Sequence, residues 1–403
     1  MSIQHTRFIH CADLHLDSRM ETHLTPFQAQ NRRKELLQTF FRLADYAQLH
    51  DVRAILISGD LFDTAYPASS ALNDVLNCIQ EHSKVDFLYL SGNHDHHIFS
   101  ARSLNMSCPD NLWLFQSETN RFCGSSNSFW RHIITQKDYG EVTVTGLTED
   151  AGQLPALYAS RINLVMLHGQ IYQHHASFEN AGNDCLNYAL PDFAGKNIDY
   201  IAAGHIHRYQ SYPIDNRGFF CYSGCLEGRG FDECGEKGFV LLDIVSAEGN
   251  NSKAASASAI TGEVEKPSIS FQFIPFAARY FYDLDVDLTN CTDYQDAWKK
   301  IEPVFSAIDS PHLVRLKLTG RIPPELNLHV DWLLQKYLDD FYLLHIDDCT
   351  KPEISYEDYR YDFSLKGEFI RLVLSDSNLS DEEKEQVIME GLHVLAGEEV
   401  LLG

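Results

Sequence analysis

Five short polar motifs, each set directly after an apolar run, constrain this chain more than any other feature. The runs are Arg7–Cys11, Arg53–Ile57, Asp86–Leu90, Ile162–Leu167 and Asp199–Ala202; a sixth, Gly238–Ile244, follows them. Most are continuously apolar, which predicts strands buried on both faces. Between the first two lies a helical pattern around Phe27–His50. Its Leu36, Leu37, Phe40, Phe41, Leu43, Ala44 and Ala47 recur with roughly the helical period. A second helix is predicted over Ser69–Glu81. Strands alternating with helices give a layered α/β plan. With 403 residues, the chain has length for two or three domains.

The motifs are Asp13-Leu14-His15, Gly59-Asp60-Leu61-Phe62-Asp63, Gly92-Asn93-His94-Asp95, His168-Gly169 and Gly204-His205-Ile206-His207. Polar residues after the carboxyl ends of strands are where open α/β sheets place their sites. Asp13, His15, Asp60, Asn93, His168, His205 and His207 form a mixed carboxylate, amide and imidazole set without thiolate. Such a set suits manganese, iron or zinc. Seven ligands exceed the needs of one ion and fit two ions sharing a carboxylate, at a separation of about 3.5–4 Å. Asp60 is the expected bridge, because it follows a buried strand and lies between Asp13/His15 and Asn93 in chain order. His94 is not needed for coordination and is the expected catalytic group, touching a phosphoryl oxygen or protonating a leaving group. Asp95 is expected to assist catalysis by holding a histidine in its working tautomer.

Taken in order, these motifs resemble the calcineurin-like metallophosphoesterases. Within that family, the opening FIHCADLHLDS and the stretch YSGCLEGRGFDECGEKGFVLLDI from Tyr222 resemble the SbcD/YhaO branch of DNA repair exonucleases. The resemblance is specific over about residues 5–245 and looser beyond. It implies a layered metallophosphoesterase β-sandwich core flanked by helices, with a smaller α+β capping domain and C-terminal helices. It also implies one metal on Asp13, His15, Asp60 and His207, and another on Asp60, Asn93, His168 and His205, with His94 facing phosphate. Arg19 stands where the relatives tend to have proline.

Other residues have plainer readings. His10, His96, His97, His174 and His175 lie beside the motifs and read as surface or supporting histidines. Cys11 reads as a small hydrophobe packed beneath the site. Arg208, Arg217, Arg229 and Lys237 follow the last motif closely; they read either as nucleic-acid backbone contacts or as solvated surface charges. Ten cysteines without a CxxC pair read as reduced thiols in a cytoplasmic protein. The N-terminus lacks a signal-peptide pattern, and no apolar run is long enough to span a membrane.

Domain organisation follows from changes in composition. Residues 1–247 form the expected catalytic domain, and the small polar stretch 248–268 a linker. Residues 269–350 form a capping, DNA-guiding domain, and residues 351–403 a helical partner-binding region. The last carries 5 basic and 13 acidic residues, and Ser380 with Glu383 forms a capping box. Phe369, Leu372 and Val373 make one apolar stripe, and Val387, Ile388, Leu392 and Leu395 another. Such stripes usually bury against the protein's own core; the resemblance implies that they dock instead on an SMC-like ATPase partner. A homodimer is also expected, with Ser69–Glu81 and Ala101–Asn105 as candidate interface helices.

The overall charge is −25, from 32 basic and 57 acidic residues. That excludes a protein holding polyanions by bulk electrostatics; phosphate must be gripped by metals or by a few local cations. The expected function is a manganese-dependent DNA nuclease acting by two metals in DNA end processing, repair or defence. The rivals are a phosphodiesterase or phosphatase of the same fold acting on a small molecule or protein, and a non-catalytic scaffold for DNA ends or an ATPase.

Overall fold

The computed structural model describes residues 3–20, 24–95, 98–99, 107–115, 132–148, 154–174, 185–247, 267–308, 311–323, 326–353, 359 and 361–396. His96, His97, His175, Cys123, Ala101–Asn105 and nearly all of the expected linker lie outside these residues. The chain divides into two compact units, Met1–Tyr280 and Phe281–Gly403.

In chain order the first unit contains β1 (Ile3–Cys11), α1 (Pro26–Leu49), β2 (Val52–Ser58), α2 (Ser69–Glu81), β3 (Asp86–Leu90), β4 (Leu112–Phe115), β5 (Ile133–Ile134), β6 (Gln136–Asp138), β7 (Val142–Gly146), β8 (Ile162–His168), β9 (Gln170–Tyr172), β10 (Asn187–Ala189), β11 (Tyr200–Gly204), β12 (Gln210–Pro213), β13 (Phe219–Tyr222), β14 (Gly238–Ala247) and β15 (Ser268–Pro275). Seven strands form one sheet in the order β15-β14-β1-β2-β3-β4-β5, and six form a second in the order β12-β13-β11-β8-β7-β6.

Side-chain alternation along each strand builds the layers. Phe8, Ala54, Leu56 and Leu88 point to one face and pack with Leu164, Met166 and Ala202 of the second sheet. Ile9, Ile55, Ile57 and Phe87 point to the other face and pack beneath Leu36, Phe40, Val75 and Ile79 of α1 and α2. The outer face of the second sheet, with Val165, Leu167, Ile201 and Phe220, is covered by Leu190 and Phe193. The unit is therefore a sandwich of two sheets with helices outside. The continuous apolar runs follow from burial on both faces.

β15 pairs antiparallel with β14 from Val245↔Ser268 to Gly238↔Pro275. A capping domain beginning at residue 269 would thus start with a strand of the first unit's sheet. Hydrogen bonding along β14 places that strand on the first side of the division.

The second unit contains β16 (Phe281–Asp287), α3 (Tyr294–Ser306), β17 (Leu313–Thr319), β18 (Arg321–Ile322), α4 (Val330–Tyr337), β19 (Leu343–Asp348), β20 (Lys351–Pro352), α5 (Leu365–Ser375) and α6 (Asp381–Ala396). β16, β17 and β19 form a parallel sheet. Val314, Leu316 and Leu318 of β17 face Ala297, Ile301 and Phe305 of α3 and Leu333 of α4. The intervening Arg315 and Lys317 take the other face, where both reach Asp283.

α5 and α6 bury Ile370, Val373, Ile388 and Leu392 together, with Phe369 packed alongside. The two expected stripes are therefore partly covered by each other. Leu372 and Val387 remain exposed because the helix rotation that buries Val373 and Ile388 turns them outward, and Leu395 is exposed in the last turn of α6. The capping box is formed: Glu383 N–H donates to Ser380 Oγ, and Ser380 N–H donates to Glu383 Oε2. Ser380→Ala is expected to cost about 1 kcal/mol in α6, read as faster amide exchange over its first turn. Unchanged exchange there would contradict a stabilising cap.

Candidate metal centre

The first two motifs meet because their loops are hydrogen-bonded side by side, and His94 N–H of the third donates to Asp60 Oδ1. Asp13 N–H donates to Gly59 O, His15 N–H to Asp60 O and Leu16 N–H to Leu61 O, at 2.9–3.1 Å. This crowding bends the backbone sharply. Asp13, His15 and Asp60 have φ of 53°, 45° and 50°, and His205 has 101°. Non-glycine residues pay roughly 1–2 kcal/mol each for such conformations, which gather at functional sites. Gly59 has φ 93° and lies against the His168 ring, while a Cβ on Gly92 would strike the Asp60 side chain and backbone. Glycine at these two positions lets the strand ends approach each other.

The second sheet closes on the first at the same end. Ser58 Oγ donates to Ala202 O, and His168 Nδ1 lies 2.9 Å from Ser58 O. His10 is fully buried between the sheets, contacting Tyr200 Oη and Ala203 O. Burial pushes its pKa down to about 3, partly opposed by the bond to Ala203 O. It is a neutral internal strut.

Five of the seven expected ligands, Asp13, His15, Asp60, His168 and His207, bring donor atoms into overlapping groups; Asn93 adjoins His168, and His205 is in none of these groups. Donor atoms of Asp13, His15 and His207 lie within 4.8 Å of one another, as do those of Asp13, Asp60 and His168, and of His15, Asp63 and His94. One oxygen of Asp60, Oδ2, is 3.7 Å from His15 Nε2 and 3.4 Å from His168 Nε2. That carboxylate stands between the two histidines, as a bridge must. Asn93 Oδ1 is 2.9 Å from His168 Nε2. His205 N–H donates to the Asp13 carboxylate, and its ring packs edge-on to His168. Its Nε2 lies 3.3 Å from Cys185 Sγ.

The donor chemistry fits a divalent cation. His15 Nδ1 is 2.9 Å from Asp63 Oδ1, an ion-pair approach bent away from full hydrogen-bond geometry. His207 Nδ1 is 2.6 Å from Glu233 Oε1. The two Nε2 atoms face each other at 3.2 Å, and with both Nδ1 protons on the carboxylates they would present lone pairs to each other. A cation held by both would relieve that opposition. Burial raises the Asp60 carboxyl, but the hydrogen bond and charge of His168 outweigh it and hold the group well below the usual carboxylate range. Burial lowers His168, yet Asp60 and Asp13 carry it up to about 9.

Several sequence expectations are corrected here. Among the described residues, Asp95 makes no hydrogen bond to a histidine ring. It is fully buried and accepts from the backbone N–H groups of Leu61, Phe62 and Gly92 at 2.7–3.2 Å. It ties the Asp60 loop to the Asn93 loop. Burial first, then the nearby Asp60 charge, raises its pKa to about 6. Arg229, expected at a nucleic-acid surface or in solvent, instead turns inward to Asp63 and Glu233. Arg217 is taken up by Asp199 and by the carbonyls of Ala159 and Arg161. Lys237 is buried and donates to His207 O. Arg208 and His174 are exposed, and Cys11 is buried in the core. His94 is exposed at the mouth, its ring edge-on to His15, with Nδ1 3.4 Å from Asp63 O.

Glu233, Asp63 and Cys185 carry no role that the sequence alone assigns. Glu233 lies 26 residues after His207. Its only signal in the sequence is an acidic residue in a glycine-rich stretch returning from the last motif.

The chain is similar to known proteins over the span that carries this cluster. A family model described as calcineurin-like phosphoesterase matches residues 6–209, half of the chain. The metallophosphoesterase YhaO of Bacillus subtilis is 24% identical over 348 residues, covering 83% of this chain and 76% of that protein. The SbcD component of the SbcCD nuclease of Escherichia coli is 26% identical, covering 65% and 69%. The DNA double-strand break repair protein Mre11 of Sulfolobus acidocaldarius is 22% identical, covering 79% and 76%. A strand-end cluster of aspartates and histidines on a two-sheet sandwich, matched over this span, makes the chain a member of the calcineurin-like phosphoesterase family.

Proposed function

We propose that this phosphoesterase is a DNA nuclease using two divalent cations, with manganese as the expected metal. The observation that carries the reading is Asp60 standing between His15 and His168, with His94 exposed beside them. Asp13, His15, Asp60 and His207 would hold one cation; Asp60, Asn93, His168 and His205 would hold the other. When bound, the pair supplies Lewis acidity, which lowers the pKa of a water molecule and neutralises charge developing at phosphorus. The protein's own part is placement. Asp95 and Gly92 fix the Asp60 and Asn93 loops, Asp63 and Glu233 fix His15 and His207, and Ser58 O fixes His168. His94 meets the phosphoryl group from the open side and protonates the leaving oxygen.

DNA is the proposed substrate on the strength of relatives named as part of a nuclease and as a double-strand break repair protein. The second unit would guide DNA, and the exposed Leu372, Val387 and Leu395 would meet an SMC-like ATPase. The ATPase would also help hold a polyanion that a chain of charge −25 repels. A cytoplasmic setting suits ten cysteines without a CxxC pair, and no described helix is long and apolar enough to cross a membrane. The test uses end-labelled DNA with manganese, beside His94→Ala and a small phosphodiester reporter. Manganese-dependent DNA cleavage lost in the mutant supports the nuclease. Reporter turnover with DNA intact, even after an SMC-like ATPase is added, would favour a small-molecule enzyme.

Metal binding should also be pH-dependent in a defined direction. His168 carries a pKa raised to about 9, against 6.5 for the ordinary group. In the metal-free protein its proton therefore stabilises the fold fully below pH 6.5, and that stabilisation is lost as pH rises through about 9. A cation must displace this proton to reach Nε2. Binding at neutral pH should release a proton, seen as a buffer-dependent heat in calorimetry, and affinity should climb as pH approaches about 9. His168→Gln should remove that release; heats independent of buffer in the unaltered protein would contradict the assignment.

A further inference from the structure

The two metal positions are supported unequally. On the His15/His207 side, each imidazole rests on a carboxylate, and one guanidinium holds both carboxylates. Arg229 Nη1 donates to Asp63 Oδ1 at 2.8 Å, the same oxygen that faces His15 Nδ1. Its Nε and Nη2 donate to Glu233 Oε1 at 3.2 and 2.9 Å, the same oxygen that faces His207 Nδ1. Its backbone N–H takes the other Glu233 oxygen at 2.8 Å. On the opposite side, His168 rests on the carbonyl of Ser58, and His205 has a thiol beside it.

We propose that Arg229 is the positioning residue of one metal position only, fixing His15 and His207 together through Asp63 and Glu233. The proposal deepens the two-cation reading and rests on it. A single planar fork spanning two carboxylates does what two separate cations could not: it fixes the distance between them, and hence between the two imidazoles they orient. The same engagement argues against Arg229 reaching for DNA, since both arms of its fork are spent on carboxylates. Lysine, a point charge with one flexible stem, cannot hold both at once.

The experiment is manganese titration of the full, metal-stripped chain, read by calorimetry and by the electron paramagnetic resonance of free Mn2+. The unaltered chain is expected to take two ions. Arg229→Ala should weaken one of them about 10- to 100-fold, the range for losing a partner behind a metal ligand, and leave the other unchanged. Arg229→Lys should recover only part of the loss. Glu233→Gln, which keeps the side chain's size, should weaken the same ion and guards against misfolding of the alanine variant. With Co2+ in place of Mn2+, only one of two visible spectra should change.

Two ions bound with unaltered affinity in Arg229→Ala would overturn the proposal. So would equal weakening of both, which would mark a general structural role, or intact metal binding with a raised KM for DNA, which would mark a substrate contact. If the unaltered chain binds no Mn2+, or Asp60→Asn still binds two ions normally, the proposed function itself fails. That result is distinct from failure at Arg229 alone.

Discussion

Asp60→Asn is expected to lower metal-dependent phosphodiester hydrolysis by about 10³-fold or more. Lewis-acid stabilisation is worth several kcal/mol at the transition state, and each step of about 1.4 kcal/mol is a factor of ten. The size follows from the carboxylate's place. Oδ2 lies between His15 and His168, while Oδ1 accepts from His94 N–H at 2.9 Å. Asparagine keeps the shape but loses the charge, and one side of the amide donates rather than accepts. Both proposed metal positions and the backbone carrying His94 would be disturbed together. His94→Ala should differ in kind: manganese still binds, and kcat falls by about 10²–10⁴ through loss of general acid catalysis. Measuring bound manganese beside turnover separates the two. An Asp60→Asn enzyme with normal turnover would remove the bridge from the mechanism.

Most of the candidate cluster is legible in the sequence because each candidate ligand is set by local chemistry. A buried apolar run followed by glycine and a metal-binding side chain reads the same wherever the chain goes next. Asp13, His15, Asp60, His168 and His207, whose donor atoms the fold brings together, can therefore be named from it as candidates. Residues whose role depends on distant partners cannot. Asp95 sits within its motif, yet its partners are the backbone N–H groups of Leu61 and Phe62, more than thirty residues earlier. Arg229 reads as a surface cation until Asp63, 166 residues away, is placed beside it. β15 follows a polar stretch that reads as a linker, and only its pairing with β14 assigns it to the first unit. Periodicity reports burial of a face; it does not report which charge a polar residue will meet.

Arg32 is the strongest instance, and Arg32→Met is expected to cost about 3–5 kcal/mol of stability, the range for breaking a buried ion pair from one side. On sequence it is one more charge on α1. In the structure its side chain is fully buried, donating to Glu35 Oε2 at 2.5 Å, Glu227 Oε2 at 3.2 Å and Gly228 O at 2.9 Å. Glu227 is itself buried, with Thr39 Oγ1 at 2.7 Å and Ala278 N–H at 2.6 Å. Methionine fills the volume but leaves Glu227 charged, with only neutral donors and the distant Arg42, 3.9 Å away. Urea unfolding should show a lowered midpoint. Arg32→Met with Glu227→Gln should recover part of the loss, because the stranded charge goes with the second change. The effect should reach the metals as well. Glu227 and Gly228 tie α1 to the turn that carries Arg229 and Glu233, and Glu233 backs His207. Arg32→Met should therefore also weaken the cation that depends on His207, measured where the variant is still fully folded. Unchanged stability would show that Glu227 is compensated elsewhere. A stability loss with unaltered manganese affinity would show that Lys237 and Arg229 hold the turn without help from α1.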